Sequence, residues 1–180
     1  VQGALPPFCA SGRMEVQVHK DGALSDHLAS LYLQVFDGPI DTAAWSQRML
    51  PQQSWALTTQ HGFMAAHRRG DASVNVWIAG VASSARGSGE FRLLLRQLVR
   101  EVGPAARLTM TTRPQQFGKM FAILTKYARR YDEPEDAAAG KARFSVPAWA
   151  VLLVLHRRAV AAAVIGGLGV ALALALKRLW

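Results

Sequence analysis

Between Val74 and Val102 the hydrophobic pattern changes once, and the change is abrupt. Val74, Val76, Ile78 and Val81 form an apolar strand. Phe91, Leu94, Leu95, Leu98 and Val102 then recur on one face of a helix, after only the five residues Ala85-Arg86-Gly87-Ser88-Gly89. A strand that enters a helix through a glycine loop exposes backbone N–H groups and the positive end of the helix dipole at one spot. That combination suits an anion, notably a pyrophosphate, and Arg86 adds charge beside it. No Gly-Lys-Ser/Thr follows, so the loop is not a P-loop. The spacing is also wrong for a dinucleotide fingerprint, and no opening βαβ unit precedes it. Arg92, Arg96 and Arg100 recur every four residues on the other side of the helix and read as a solvated face. Gly103-Pro104 stops it.

Other elements follow from periodicity and punctuation. Met14, Val16 and Val18 alternate with Glu15, Gln17 and His19 as a half-buried strand. Ser25 caps a helix with Leu28, Leu31, Tyr32, Val35 and Phe36 at helical spacing, ended by Asp37-Gly38-Pro39. Asp41 or Thr42 starts a shorter helix through Trp45 and Met49 to Leu50. Residues 54–60 and 63–67 read as a hairpin around His61-Gly62. Residues 107–112 alternate as another strand. Phe117, Met120, Phe121, Leu124, Ala128 and Tyr131 predict a second amphipathic helix. An acidic, alanine-rich loop spans 132–140, and a last strand is expected over Lys141–Val154, running into more apolar chain, with Pro147 restricting it to an edge or boundary. The order β-α-α-β-β-β-α-β-α-β predicts an α+β domain, a mixed and mostly antiparallel sheet flanked by helices.

The 180 residues carry 21 Lys+Arg and 12 Asp+Glu, a net charge of +9, and 51% are hydrophobic. Disorder is excluded by the apolar content, and a disulfide framework by the single cysteine, Cys9. The apolar residues concentrate near the end. From Ala159 to Leu176 there is no charge and no strongly polar side chain, a length of roughly 27 Å as helix. His156, Arg157 and Arg158 precede this run; Lys177, Arg178 and Trp180 follow it. Snorkelling cations and an interfacial aromatic suit the two ends of a short membrane span. Both flanks are basic, so orientation stays open. Ala159, Ala163, Gly167, Ala171 and Ala175 are small and four apart, a spacing that lets helices pack in lipid. Four cations and no carboxylate lie after Ser145, which leaves +5 on the rest. Those cations are distributed rather than clustered on one element, so nucleic acid is not an expected partner. The expected layout is an arm over 1–13, a domain over 14–150, and a membrane-proximal segment with a transmembrane helix over 151–180.

The run Trp77-Ile78-Ala79-Gly80-Val81-Ala82-Ser83-Ser84-Ala85-Arg86-Gly87-Ser88-Gly89-Glu90-Phe91 resembles the acetyl-CoA-binding motif of the GNAT superfamily of N-acetyltransferases. That motif joins the fourth strand to the third helix. Its loop reads Arg or Gln, two variable residues, Gly, one variable residue, then Gly or Ala. The resemblance implies that Val81, Arg86, Gly87, Ser88 and Gly89 bind acetyl-CoA: loop amides on the pyrophosphate, strand backbone on the pantetheine arm. The element order from Met14 to Val146 is similar to that fold. Three positions depart from the pattern. Phe91 stands where the loop ends in Gly or Ala. Leu124 stands where the family often has a tyrosine, the general acid for the leaving thiolate, with Tyr127 and Tyr131 nearby; Tyr127 is the candidate catalytic residue. The strand holds no Asp or Glu to serve as base; Asp71 and Glu90 flank it.

Other constellations carry less. His19, His27, His61, His67 and His156 lack metal-ligand spacing, so no metal is expected, and they read as surface or hairpin residues. Ser83 and Ser84 lack a glycine elbow. Cys9 has no neighbour that would lower its pKa. The chain opens on Val1, which is expected to mark a removed targeting peptide or a trimmed end. A basic chain with a lone cysteine fits an organelle such as the mitochondrion, whose inner membrane is the expected location. The expected function is a membrane-anchored GNAT-fold accessory subunit without turnover or cofactor. Its partners would be the bilayer and other membrane subunits, reached through the helix from Ala159 to Leu176. The alternative is an active, membrane-anchored N-acetyltransferase using acetyl-CoA.

Overall fold

The computed structural model describes residues 15–20, 22–50 and 53–155. The arm, Cys9 and the apolar run from Ala159 to Leu176 lie outside the described residues. Among the described residues no helix is long and apolar enough to cross a membrane.

Strand β1 (Gln17–His19) leads to helices α1 (Asp26–Phe36) and α2 (Thr42–Met49). Both helices start on a side-chain cap: Ser25 accepts from the Leu28 amide and Asp41 from the Ala44 amide. Asp37 ends α1 in the left-handed region, at φ 55°. Strands β2 (Ser54–Thr58), β3 (Gly62–Arg68) and β4 (Val74–Val81) form an antiparallel meander. Helix α3 (Glu90–Val102) crosses to β5 (Arg107–Thr112), which pairs parallel with β4. Helix α4 (Gly118–Tyr127), β6 (Arg129–Arg130), a short α5 (Pro134–Ala138), β7 (Ala142–Pro147) and α6 (Ala148–Leu155) follow. The sheet order is β1-β2-β3-β4-β5-β7-β6. Every pairing except β4–β5 is antiparallel, so the sheet is mixed and mostly antiparallel, as the sequence predicts.

Three expectations change at the C-terminal end. The amphipathic pattern carries the α4 expectation through Tyr131, but the helix stops at Tyr127 and the Tyr131 amide donates to the Arg143 carbonyl. Residues 132–140 hold the helical turn α5 rather than loop alone. The last strand ends at Pro147, and the next eight residues are helix α6 rather than strand. Val151 and Leu155 of that helix lie in the core against α3. Helix α6 therefore runs across the boundary expected at residue 150.

The core is layered on both sheet faces. Leu28, Leu31, Trp45 and Met49 pack under α1 and α2 on Ala56, Phe63 and Ala65. The Trp45 indole donates to the Gly22 carbonyl at 2.7 Å, tying α2 to the chain after β1. On the opposite face Leu94, Leu98 and Val99 of α3 pack on Trp55, Leu57, Met64 and Val74. Gly80 marks the closest approach of α1 to β4: a Cβ there would stand 2.6 Å from the Val35 Cγ1 atom. The arginine face of α3 is not simply solvated, because the Arg92 guanidinium donates to the Leu155 carbonyl and α6 packs alongside.

Candidate functional site

The parallel pairing that joins the two halves of the sheet is short. It runs from Val74↔Leu108 to Val76↔Met110 and stops. Beyond that point β4 and β5 diverge, so residues 77–81 present a backbone edge with no strand, among the described residues, beside it on the β5 side. An unpaired edge of this kind can take an extended arm as an added strand.

The divergence opens a cleft through the sheet with a hollow on each face. The α1–α2 side holds about 640 Å³ and the α3–α4–α6 side about 400 Å³. Val76, Phe91, Met110, Met120 and Leu124 line both and form the waist between them.

The loop after β4 is built for a close backbone approach. Ser83–Ala85 forms a 3₁₀ turn, and Gly87 and Gly89 have φ of 92° and 95°, values that L side chains rarely adopt. No side chain caps α3, whose N-cap is Gly89. The amides of Gly87, Gly89, Phe91 and Arg92 make no hydrogen bond among the described residues. Free amides at a helix N-terminus receive an oxyanion. Space beside both glycines is open, since a Cβ there would meet nothing within 4 Å. The open edge and the free amides fit a pyrophosphate-linked cofactor.

The structure brings Val81, Arg86, Gly87, Ser88 and Gly89 together at this end of β4, on the rim. None of them lines either hollow. Tyr127 lines the apolar hollow, with the Lys126 ammonium 5.3 Å from its ring centroid. Leu124, one turn earlier, occupies the waist itself. Where the resemblance puts an acid, there is an alkyl side chain. Phe91 turns its ring into the core and the cleft rather than over the loop. Tyr131 lines neither hollow.

Neither flanking carboxylate faces the cleft as a base. Glu90 is buried and turned toward the β2–β3 turn, accepting from the Thr59 hydroxyl and, at 2.9 Å, from the His61 amide. Asp71 lies in the β3–β4 turn at the far end of β4. The Ser73 hydroxyl and amide bond it at 2.6 and 3.0 Å and hold its carboxyl below the usual value. Among the described residues no three His, Cys, Asp or Glu side chains group to hold a metal ion.

One titratable group missed in the sequence does line the cleft. His67, expected as a surface or hairpin residue, lies on hairpin strand β3, is 8% exposed and faces the larger hollow. Its Nε2 lies 3.3 Å from the Asn75 amide nitrogen, and the Thr109 hydroxyl donates to the Asn75 oxygen. Its Nδ1 is buried with no hydrogen-bond partner among the described residues. Burial, then the charges of Arg48 and Arg69, hold its pKa below 6.5. The unfolded chain therefore takes the proton first, and the neutral imidazole's stability is lost as pH falls from about 6.5 through the folded value. His67→Gln should flatten this part of the pH dependence. Thermal unfolding at several pH values between about 7.5 and 5 checks it, and parallel curves for the two proteins would contradict it.

Solved structures share this fold, which is that of the GNAT acetyltransferases. An acetyltransferase from Bacillus subtilis in complex with CoA aligns with a TM-score of 0.55 at 10% identity, covering 75% of this chain and 99% of its own. A GNAT family acetyltransferase from Elizabethkingia anophelis with acetyl-CoA bound aligns at 0.54 and 11%, covering 76% and 99%. An IAA acetyltransferase from Bacillus cereus aligns at 0.54 and 14%, covering 75% and 99%. Identities this low establish the fold alone. No family model matches the chain, and no curated protein matches it.

Proposed function

We propose that the chain is an acyl-CoA-binding, GNAT-fold accessory module without transfer chemistry, held to an organellar membrane, of mitochondrial type, as part of a protein complex. One observation carries the reading. The groups that would hold the cofactor are open, namely the edge of residues 77–81 and the free amides at the start of α3, while the waist offers no proton donor or base. Acetyl-CoA would lie with its phosphates on residues 86–89 and its arm along β4, and it would supply an activated thioester. At the waist the chain offers Val76, Met110, Met120 and Leu124, none with an acidic or basic side-chain group to give or take a proton. The open edge and free amides support cofactor binding here, where the sequence alone led to an accessory subunit without cofactor. Anchoring is supported by the uncharged run from Ala159 to Leu176. Trp149 and Leu153, exposed one turn apart on α6 shortly before that run, add to it.

A second reading has its own observation. Tyr127 lines the apolar hollow and His67, a neutral imidazole, lines the other. In a membrane-anchored N-acetyltransferase His67 would take the amine proton and Tyr127 would donate to the thiolate.

Calorimetric titration of the detergent-solubilised full chain with acetyl-CoA, run beside a thiol-release assay over a panel of amines, separates the readings. The expected result is saturable binding with thiol release no faster than the protein-free rate. No binding at millimolar acetyl-CoA overturns both readings. Amine-dependent release that Tyr127→Phe abolishes establishes the second.

A further inference from the structure

The larger hollow carries a charge pattern that cofactor binding does not use. Arg48 of α2, Arg69 after β3, Arg113 after β5 and Lys141 before β7 all line it, and none makes an ion pair among the described residues. Among the described residues the one carboxylate in the lining, Asp136, is already taken. The Arg143 Nε lies 2.8 Å from its Oδ2, and Nη2 donates to its Oδ1 at 3.1 Å. Arg48 is held in place over the Trp77 ring, 4.7 Å from the centroid.

The cations line the hollow from two sides. Arg48 of α2 and Arg69, in the turn before β4, lie on the β3–β4 side, and Arg113 and Lys141 lie on the β5–β7 side where the strands have diverged. Unpaired cations around a concave surface focus a positive potential and raise the local concentration of anions. The same potential contributes to keeping His67 neutral. A simple amine is itself a cation at neutral pH, so like-charge repulsion disfavours it here. A single anionic group satisfies one side; two satisfy both.

We infer that this hollow binds a small polyanion carrying two or more carboxylate or phosphate groups, which pair with the cations of the β3–β4 side, Arg48 and Arg69, and with those of the β5–β7 side, Arg113 and Lys141. Only on the second reading above is this hollow the acceptor side of the cleft, and only that name rests on that reading. The anion site stands on the charges. An acceptor amine, where one is used, carries such groups itself.

Calorimetric titration of the full chain at low salt with citrate, with a hexose bisphosphate and with spermidine tests the site. Citrate or the bisphosphate should bind with a Kd on the order of 0.1 mM or tighter, weakening as salt is added. Whichever anion binds more tightly identifies carboxylate or phosphate as the natural group. The double variant Arg48→Gln/Arg113→Gln should lose at least about tenfold in affinity. Its thermal midpoint should hold, because both side chains are exposed. Arg100→Gln, on the exposed side of α3, should bind as the parent does. Three results overturn the inference: neither anion binds, spermidine binds as tightly, or the double variant keeps full affinity. Acetyl-CoA provides a separate arm. Equal weakening of acetyl-CoA and of the anion in the double variant would make the hollow a cofactor-phosphate site and overturn the assignment. A chain that binds the anion but never binds acetyl-CoA sinks the cofactor reading and leaves the anion site standing.

Discussion

Glu90→Ala should destabilise the chain by about 2–4 kcal/mol, a loss of roughly 6–12 °C in thermal midpoint for a domain of this size. Glu90 is the first residue of α3 and is 3% exposed. Its carboxylate accepts from the Thr59 hydroxyl and the His61 amide, so it ties the helix that crosses the sheet to the β2–β3 turn. Truncation leaves the His61 amide without its acceptor and opens a void in a buried position. It also removes a negative side chain from the positive end of the helix dipole. The Thr59 hydroxyl limits the damage, because the Gly62 carbonyl lies 3.2 Å away as a second acceptor. Thr59→Val should therefore cost about 1 kcal/mol alone. In the double variant the two losses should fall short of additive by a similar amount, since each removes the same bond. Denaturant unfolding of the four proteins measures the cycle. A Glu90→Ala variant within about 0.5 kcal/mol of the parent would show that the carboxylate is solvated and the tie absent.

This residue shows where the sequence was informative and where it was not. The helix over 90–102 and the strands over 74–81 and 107–112 have the bounds the sequence predicts, because periodic apolar positions and glycine punctuation agree there. Ser25 marks the first helix start, and the pair Asp41-Thr42 marks the second, where the structure makes Asp41 the cap. The end of the domain was harder. Residues 148–155 are nearly all apolar, so no period separates a buried strand from a buried helix. Strand β6 is two arginines paired with β7, and an edge that short leaves no alternation to read. In the candidate site the loop was legible as one contiguous segment, but Glu90 read as a flanking carboxylate. Only the fold shows it bonded to a turn about thirty residues earlier. The cationic hollow was hidden for a related reason. Arg48, Arg69, Arg113 and Lys141 come from four separate segments and look like scattered surface charge until the strand order places them around one opening. His67 reads as a surface or hairpin residue and does lie on the hairpin, but its burial depends on the fold, which the hairpin pattern alone does not show.

Phe91→Ala should move stability and ligand affinity in opposite directions. The ring packs on the core beside Leu95 and stands at the waist between the two hollows. Because it is only half-buried, losing it should cost about 2 kcal/mol, below the 3–5 kcal/mol of a fully buried Phe→Ala change. Alanine at this position is also what the GNAT loop pattern accepts. The substitution shortens the side chain beside the free amides of α3 and joins the hollows, which hold about 640 and 400 Å³. An extended arm lying against residues 77–81 then passes the waist without displacing a ring. Acetyl-CoA affinity should rise about tenfold, equivalent to about 1.4 kcal/mol, while the thermal midpoint of the ligand-free chain falls by roughly 4–8 °C. Calorimetry and thermal unfolding on the same preparation read both quantities. Added acetyl-CoA should recover more of the midpoint in the variant than in the parent, because binding to the folded state alone stabilises by mass action. A variant that loses stability and gains no affinity would show that the ring is packing only, and that access along β4 is set elsewhere. Affinity that falls with the ring would mean that Phe91 is a contact for the arm, and the waist would then be part of the binding surface instead of a constriction in it.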